Sequence, residues 1–128
     1  MESIAAGKTR LLVDRFLKHA GEVLCLVDDI PRHCVVKYSS SQLARSVTAI
    51  GANYEEAQAA ESKNDFVHKL QIALKESRET CYWLRLIESS KVISPTRIDP
   101  IIRESLEIRA IIAKAVVTTK ARYALRNI

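Results

Sequence analysis

Three histidines are the side chains of this sequence best suited to metal binding or proton transfer. His19, His33 and His68 fall in different segments, and none stands four residues from another histidine or from a pair of carboxylates. A carboxylate-bridged metal site in a helical bundle requires Glu-x-x-His motifs on its helices, and the sequence contains none. These patterns predict no metal site and no cofactor.

The remaining candidates for catalysis are equally poor. Glu76 and Glu79 stand one helical turn apart, but no histidine accompanies them, so we expect them to be solvated or salt-bridged. The sequence has an odd number of cysteines, Cys25, Cys34 and Cys81, and they lack the Cys-x-x-Cys spacing of zinc or redox sites. We therefore expect these cysteines to be small core residues. There is no glycine-rich phosphate loop. The sequence favours a protein that is not an enzyme.

Positive charge is concentrated near the C-terminal end. Residues 91–128 hold eight Lys or Arg against three Asp or Glu, whereas residues 1–90 hold twelve of each. Cations near a helix C-terminus complement the helix dipole, so part of the excess has a structural explanation. The helical wheel scatters these cations over three lines, but a symmetric ring would repeat them into a positive field. A nucleic-acid-binding surface and a solvated basic face therefore both remain open; the candidate binding residues are Arg103, Lys114, Lys120, Arg122 and Arg126.

Composition predicts a single all-α domain spanning residues 1–128. The chain is 48% hydrophobic and only 5% aromatic, with three glycines and three prolines, which is typical of long helices with few turns. No apolar run approaches the roughly 20 residues that cross a bilayer. The first residues lack the apolar stretch of a signal peptide, so we expect a cytoplasmic protein without membrane contact.

Apolar residues at three- and four-residue spacing predict four helices. The first runs from about Thr9 to Asp29, with Leu17 and Leu24 beside its core stripe, and the second begins after Ser39 or Ser40. The third has Ser62 as its N-cap, with Asp65 three residues later; the fourth has Asp99 as N-cap and Pro100 at its first position, after a loop over Lys91–Ile98. Short loops between long helices favour an antiparallel up-down four-helix bundle.

The third helix carries more apolar surface than one bundle uses. Its main face is accompanied by Ile72, Trp83 and Leu86 to one side, which predicts self-association. Glu76 and Glu79 lie on the Trp83 side, where we expect a basic partner from the fourth helix or from a neighbouring subunit. Arg109 falls inside an apolar arc, so it either pairs with a carboxylate or lies at a partly exposed rim. The candidate interface residues are Ile72, Glu76, Glu79, Trp83, Leu86 and Arg109.

The middle of the chain carries a specific resemblance. The segments Arg45–Ala57 (RSVTAIGANYEEA), Ser62–Leu70 (SKNDFVHKL) and Lys75–Leu84 (KESRETCYWL), with the TTKAR stretch near the end, resemble the four-helix-bundle proteins encoded in intervening sequences of bacterial 23S ribosomal RNA genes. The resemblance implies a cytosolic homo-oligomeric ring, a pentamer, with no established biochemical activity. The recurrent polar positions of that family correspond here to Arg45, Asn53, Glu56, Asp65, Lys69, Glu76 and Glu79, and from their positions they look structural.

A related group implies a function. The accessory proteins of diversity-generating retroelements are thought to bind nucleic acid and a reverse transcriptase through a basic surface. The analogy between those proteins and this chain rests on their fold. The leading hypothesis is a non-enzymatic oligomeric scaffold whose basic C-terminal helix contacts RNA or DNA. The alternative is a protein–protein interaction module that binds no nucleic acid.

Overall fold

The computed structural model describes residues 4–126, with side chains described for residues 6–125. Four helices account for nearly all of this range: α1 (Ile4–Asp29), α2 (Lys37–Gln58), α3 (Lys63–Ser90) and α4 (Pro95–Arg126). No strand occurs between residues 4 and 126. The chain is therefore an all-α four-helix bundle, as the sequence predicts.

The start of α3 follows the predicted capping chemistry. Ser62 adopts an extended backbone, and its Oγ accepts a hydrogen bond of 3.0 Å from the Asp65 amide. This contact satisfies one of the amides that a helix start leaves without an internal partner. At the other end Lys91 closes the helix in the left-handed region, with φ at 59°. The prediction of Ser62 as N-cap is confirmed.

The start of α2 differs from the prediction. The helix begins at Lys37, and the preceding Val36 has helical dihedrals and makes no side-chain capping bond. Ser40, expected as a possible cap, instead donates its hydroxyl to the Lys37 carbonyl at 2.6 Å. Lys37 donates its Nζ to the carbonyl of Val27 in the last turn of α1. The expected N-cap at Ser39 or Ser40 is wrong because a tertiary contact to the end of α1 anchors an earlier start.

The start of α4 also differs from the prediction. The Ser94 carbonyl accepts bonds of 3.1 Å from the amides of Arg97 and Ile98, so the helix begins at Pro95 and Pro100 lies inside it. Pro95 occupies the first helical position, where the missing amide costs nothing. Ile98 is fully buried in the core, and this burial favours the extra turn. The predicted loop over Lys91–Ile98 therefore ends four residues early.

The core lies between the facing sides of all four helices. The α2–α3 pair packs most extensively, and of the helix pairs that contact each other α1 and α4 do so least. The predicted stripe of α2, from Leu43 to Ala57, is buried as expected. On α1, however, Leu17 is 64% exposed and Leu24 40%. The fold thus leaves an apolar strip on the outside of α1.

Candidate nucleic-acid interface

The cations predicted on α4 do not converge on one patch. Arg103, Lys114, Lys120 and Arg122 are all exposed, and the side chain of Arg126 lies outside the described residues. At about 100° per residue, Arg103 and Lys114 share one line, Lys120 follows another, and Arg122 follows a third. Of the four described candidates, Lys120 lines a cavity together with residues of α3.

A cavity of about 400 Å³ between α3 and α4 brings together three arginines. Arg78 and Arg85 come from α3 and Arg109 from α4, and Tyr82 lies between the two α3 arginines on the same line. Because guanidinium groups bind phosphate oxygens through two parallel hydrogen bonds, three of them around one cavity favour a phosphate-bearing ligand. Arg78 and Arg85 are absent from the sequence prediction, because they lie in a part of the chain with equal numbers of acids and bases.

A second cavity, of about 360 Å³, lies on the same side of the α3–α4 pair. Asn64, His68 and Gln71 line it from α3, and Lys120 and Tyr123 line it from α4. Lys63, at the start of α3, holds its Nζ 5.4 Å from the centre of the Tyr123 ring. This end of the helix pair therefore also combines cations with an aromatic ring.

The two cavities belong to one surface, which we call the α3–α4 groove. The residues that form its α3 wall are spaced alternately four and three residues apart, so they all lie along one line on the surface of α3. With a rise of about 1.5 Å per residue, that line is roughly 38 Å long. The groove consists of Asn64, His68, Gln71, Lys75, Arg78, Tyr82, Arg85 and Ser89 on α3, with Arg109, Lys120 and Tyr123 on α4.

No carboxylate of the described residues lines either cavity, and Glu76 and Glu79 of α3 are turned toward α2. Arg45 of α2 forms salt bridges of 3.1 Å with Glu76 and 2.6 Å with Glu79. The Trp83 indole also donates to Glu79, at 3.2 Å. The hydrogen bond from Arg45, followed by that from Trp83, lowers the pKa of Glu79. The expectation of a fourth-helix partner for these glutamates is wrong, since the cation comes from α2.

The acids in the middle of α4 are turned toward α1. Arg15 of α1 lies 2.6 Å from a carboxylate oxygen of Glu104 and 2.6 Å from one of Glu107. The hydrogen bond from Arg15 lowers the pKa of Glu104 despite partial burial, and raises that of Arg15. Salt bridges on the α1 and α2 sides thus occupy carboxylates that could otherwise neutralise the groove.

Arg109 lies half-buried between α3 and α4. No carboxylate within the described range comes within salt-bridge distance of it. Of the two predicted environments, the partly exposed rim agrees with its position. Arg109 therefore places a half-buried guanidinium group at the groove wall.

The apolar residues among the predicted interface candidates lie on α3. Trp83 packs against the core, whereas Ile72 is half-buried without joining that cluster. Leu86 is exposed at the edge of the arginine cavity. Part of the apolar surface named from the sequence therefore remains uncovered within one chain.

The polar positions implied by the family resemblance have structural contacts. Besides the Arg45 pairs, Lys69 of α3 forms a 3.0 Å salt bridge with Glu56 of α2. Asn53 donates to the Ala49 carbonyl one turn earlier, at 2.9 Å. Most of these residues therefore join α2 to α3 or satisfy backbone groups, in agreement with their structural interpretation.

No group of three or more His, Cys, Asp or Glu side chains within the described range is arranged to hold a metal ion. None of the four helices, as far as they are described, is both long and apolar enough to cross a membrane.

Comparisons with known proteins give a consistent family. The sequence model of the 23S rRNA-intervening sequence proteins matches residues 13–114. A crystal structure of a protein of unknown function from the S23 ribosomal protein family of Bacteroides thetaiotaomicron VPI-5482 is similar, with 35% sequence identity and a TM-score of 0.73. The match covers 82% of this chain and 97% of that one. No curated protein matches the sequence. The chain belongs to the 23S rRNA-intervening sequence protein family.

Proposed function

We propose that this protein is a non-enzymatic scaffold that binds the phosphate backbone of nucleic acid along the α3–α4 groove. The observation that carries the proposal is a line of cations that spans both cavities without a lining carboxylate. The site departs from the sequence prediction, which relied on α4 alone. On α4 the groove uses Lys120 and adds Arg109, and its remaining cations come from α3.

The groove has the chemistry that a phosphate backbone requires. Its cations are Lys75, Arg78, Arg85, Arg109 and Lys120, and Lys63 lies at its end over the Tyr123 ring. Each phosphate neutralised by such a side chain releases condensed counterions, which gives an affinity independent of sequence and sensitive to salt. The amide and hydroxyl groups of the groove supply further donors to phosphate and sugar oxygens. This chemistry supports binding without a catalytic step.

We also propose that the helices alternate in direction and that copies of the bundle form a closed ring of five. The order of the α2–α3 salt bridges supports the first part. Arg45, early in α2, meets Glu76 and Glu79 late in α3, whereas Glu56, late in α2, meets Lys69 early in α3. A ring would repeat the groove around its axis and add the fields of its copies.

A protein-interaction module without nucleic-acid binding is the second candidate function. An apolar groove of about 550 Å³ between α1 and α2 favours it. Its floor includes the small residues Ala20, Gly21, Gly51 and Ala52, and Leu17 stands at its edge. Small residues allow a partner helix to approach closely. The two candidate functions differ in the salt dependence that they predict for binding to nucleic acid.

The test compares two triple variants of equal charge. Replacing Arg78, Arg85 and Arg109 with Gln removes three cations from the groove, whereas the control replaces the exposed Lys8, Lys18 and Arg32. For the wild type and the control we expect log affinity for RNA and DNA to fall steeply with log salt. For the groove variant the affinity falls for all sequences, and the slope flattens by up to about 0.9 per lost duplex-phosphate contact.

Circular dichroism of each variant confirms that the helices remain. Equal loss of affinity in the groove variant and the control would assign binding to net charge and remove the groove from the proposal. A wild type that binds neither RNA nor DNA at low ionic strength would overturn the nucleic-acid function and favour the interaction module.

A further inference from the structure

Tyr82 is a large aromatic side chain placed in the open among the groove cations. It is 61% exposed, although burial of a tyrosine ring contributes strongly to folding. Arg78 precedes it by one turn, Arg85 follows by one turn, and all three line the same cavity. The fold therefore presents an uncovered ring with a guanidinium on either side along the helix.

The neighbouring ring supports Tyr82 without enclosing it. The Tyr82 and Trp83 centroids are 5.0 Å apart, and their planes meet at 75°, an edge-to-face contact. Such contacts stabilise the orientation of a ring. Trp83 is itself fixed by packing on the core and by its bond to Glu79. Tyr82 is thus oriented by its neighbour while most of its surface remains available.

An exposed ring between two phosphate-binding cations distinguishes forms of nucleic acid. In a duplex the bases stack on one another, so only backbone and base edges are accessible. In a single strand each base offers a face on which an aromatic side chain can stack, while the cations hold the flanking phosphates. The cavity of about 400 Å³ has room for one unstacked base.

Tyr123 extends the pattern toward the other end of the groove. Its ring lines the second cavity with His68, which precedes Tyr82 by 14 residues, or about 21 Å along α3. Lys63 already lies over the Tyr123 ring, whereas no cation among residues 6–125 lies over that of Tyr82. Tyr82 is therefore the more accessible platform.

We infer that the α3–α4 groove selects single-stranded nucleic acid by stacking an unpaired base on Tyr82 between the phosphate contacts of Arg78 and Arg85. The inference rests on the proposed function, since stacking adds to a backbone contact and does not replace it. Selection by base face also implies weak sequence preference, because every base has such a face.

The experiment compares a single strand with a duplex of the same length and sequence, using the full chain and its Tyr82→Leu and Tyr82→Phe variants. We expect the wild type to bind the single strand more tightly at equal salt. Tyr82→Leu lowers single-strand affinity about 5- to 150-fold, the loss that corresponds to one stacked base, and leaves duplex affinity unchanged. Tyr82→Phe keeps the ring and therefore keeps the preference.

Trp83 supplies a second readout, because the sequence contains one tryptophan. A base stacked on Tyr82 changes the surroundings of the indole 5.0 Å away, so single strands alter tryptophan fluorescence in the wild type and Tyr82→Phe but not in Tyr82→Leu. Salt-sensitive binding with equal affinity for both forms and no effect of Tyr82→Leu would overturn stacking and leave the groove proposal intact. Equal losses of affinity for the single strand and the duplex in Tyr82→Leu would also overturn stacking on Tyr82. Absence of any binding by the wild type removes both proposals.

Discussion

His19 lies inside the bundle with 2% of its surface exposed. Neither ring nitrogen has a hydrogen-bond partner among the described residues. Burial lowers the pKa of His19 below its ordinary value, and the nearby charges of Glu104 and Arg15 act in opposite directions on it. The folded protein therefore holds this imidazole in the neutral form, because protonation would place a poorly solvated charge in the core.

This burial predicts a loss of stability in mild acid. The unfolded chain takes up a proton at His19 near pH 6.5 and the folded chain only at lower pH, so the free energy of unfolding falls as the pH drops below about 6.5. The contribution of His19 is fully present above that pH. Urea denaturation at pH 7.5, 6.0 and 5.0 measures the effect, and His19→Leu should remove this part of the pH dependence.

The salt bridge between Arg15 and Glu104 contributes in a separate range. Since Arg15 lowers the pKa of Glu104, its contribution is lost only as the pH falls below about 4.5. Equal losses of stability in the wild type and His19→Leu between pH 7.5 and 5.0 would show that His19 does not control this transition.

At the residue scale, the sequence predicted which side chains are buried better than it predicted which side chains they contact. Tyr54 is buried, and Cys81 is buried as expected, whereas Cys25, also expected in the core, is exposed. His19 was not predicted in the core because it is polar, although it lies three residues after Phe16 and four before Val23. Packing buries the side that carries Phe16, His19 and Val23, and leaves Leu17 outside.

At the element scale, Pro100 marks a conflict between local chemistry and packing. It is the sixth residue of α4, where its missing amide leaves the carbonyl of Thr96 without its normal helical donor. The sequence offers two similar starts, Ser94-Pro95 and Asp99-Pro100, and local rules favour both. Burial of Ile98 decides for the earlier one.

Replacing Pro100 with Ala should therefore stabilise the protein. Alanine restores an amide to the second turn of α4 and removes the contact of the proline ring with the preceding turn, a gain of about 1 to 3 kcal/mol in the free energy of unfolding. Chemical denaturation followed by circular dichroism measures it. Pro95→Ala is the matched control, with little or no gain expected, since Pro95 stands at the first helical position. A larger gain in stability for Pro95→Ala than for Pro100→Ala would place the helix start at Pro100.

At the scale of the whole molecule, the candidate site depends on how the helices distribute charge. The excess on α4 is visible in the sequence, and it led to Lys120, one of the groove cations. Arg78 and Arg85 are followed or preceded by nearby acids, so a count along the chain gives no net charge there. Only the fold places Glu76 and Glu79 against Arg45, about 100° around α3 from the groove line. The α3 half of the site was therefore beyond sequence reasoning.

Two apolar features remain for assembly of the proposed ring. One is the α1–α2 groove, edged by Leu17, and the other is the half-buried side chain of Ile72 on α3. A ring uses a heterologous interface, in which one surface of each copy meets a different surface of the next. We therefore expect Leu17 of one copy to face Ile72 of its neighbour. Light scattering of the wild type at micromolar concentration should report a closed oligomer of five subunits.

Single substitutions on the two surfaces can then be combined. Leu17→Gln and Ile72→Gln should each lower the mass to that of a monomer while helix content stays constant, and Val35→Gln, at a site 80% exposed in the α1–α2 connection, should leave the oligomer intact. In an equimolar mixture, the intact Ile72 surface of one variant can bind the intact Leu17 surface of the other, but no further copy can add. Sedimentation should therefore show a one-to-one dimer in the mixture alone. A monomeric wild type would contradict the ring, and two monomeric variants that fail to pair when mixed would contradict this choice of surfaces, because a heterologous contact between them must survive in one of the two orientations.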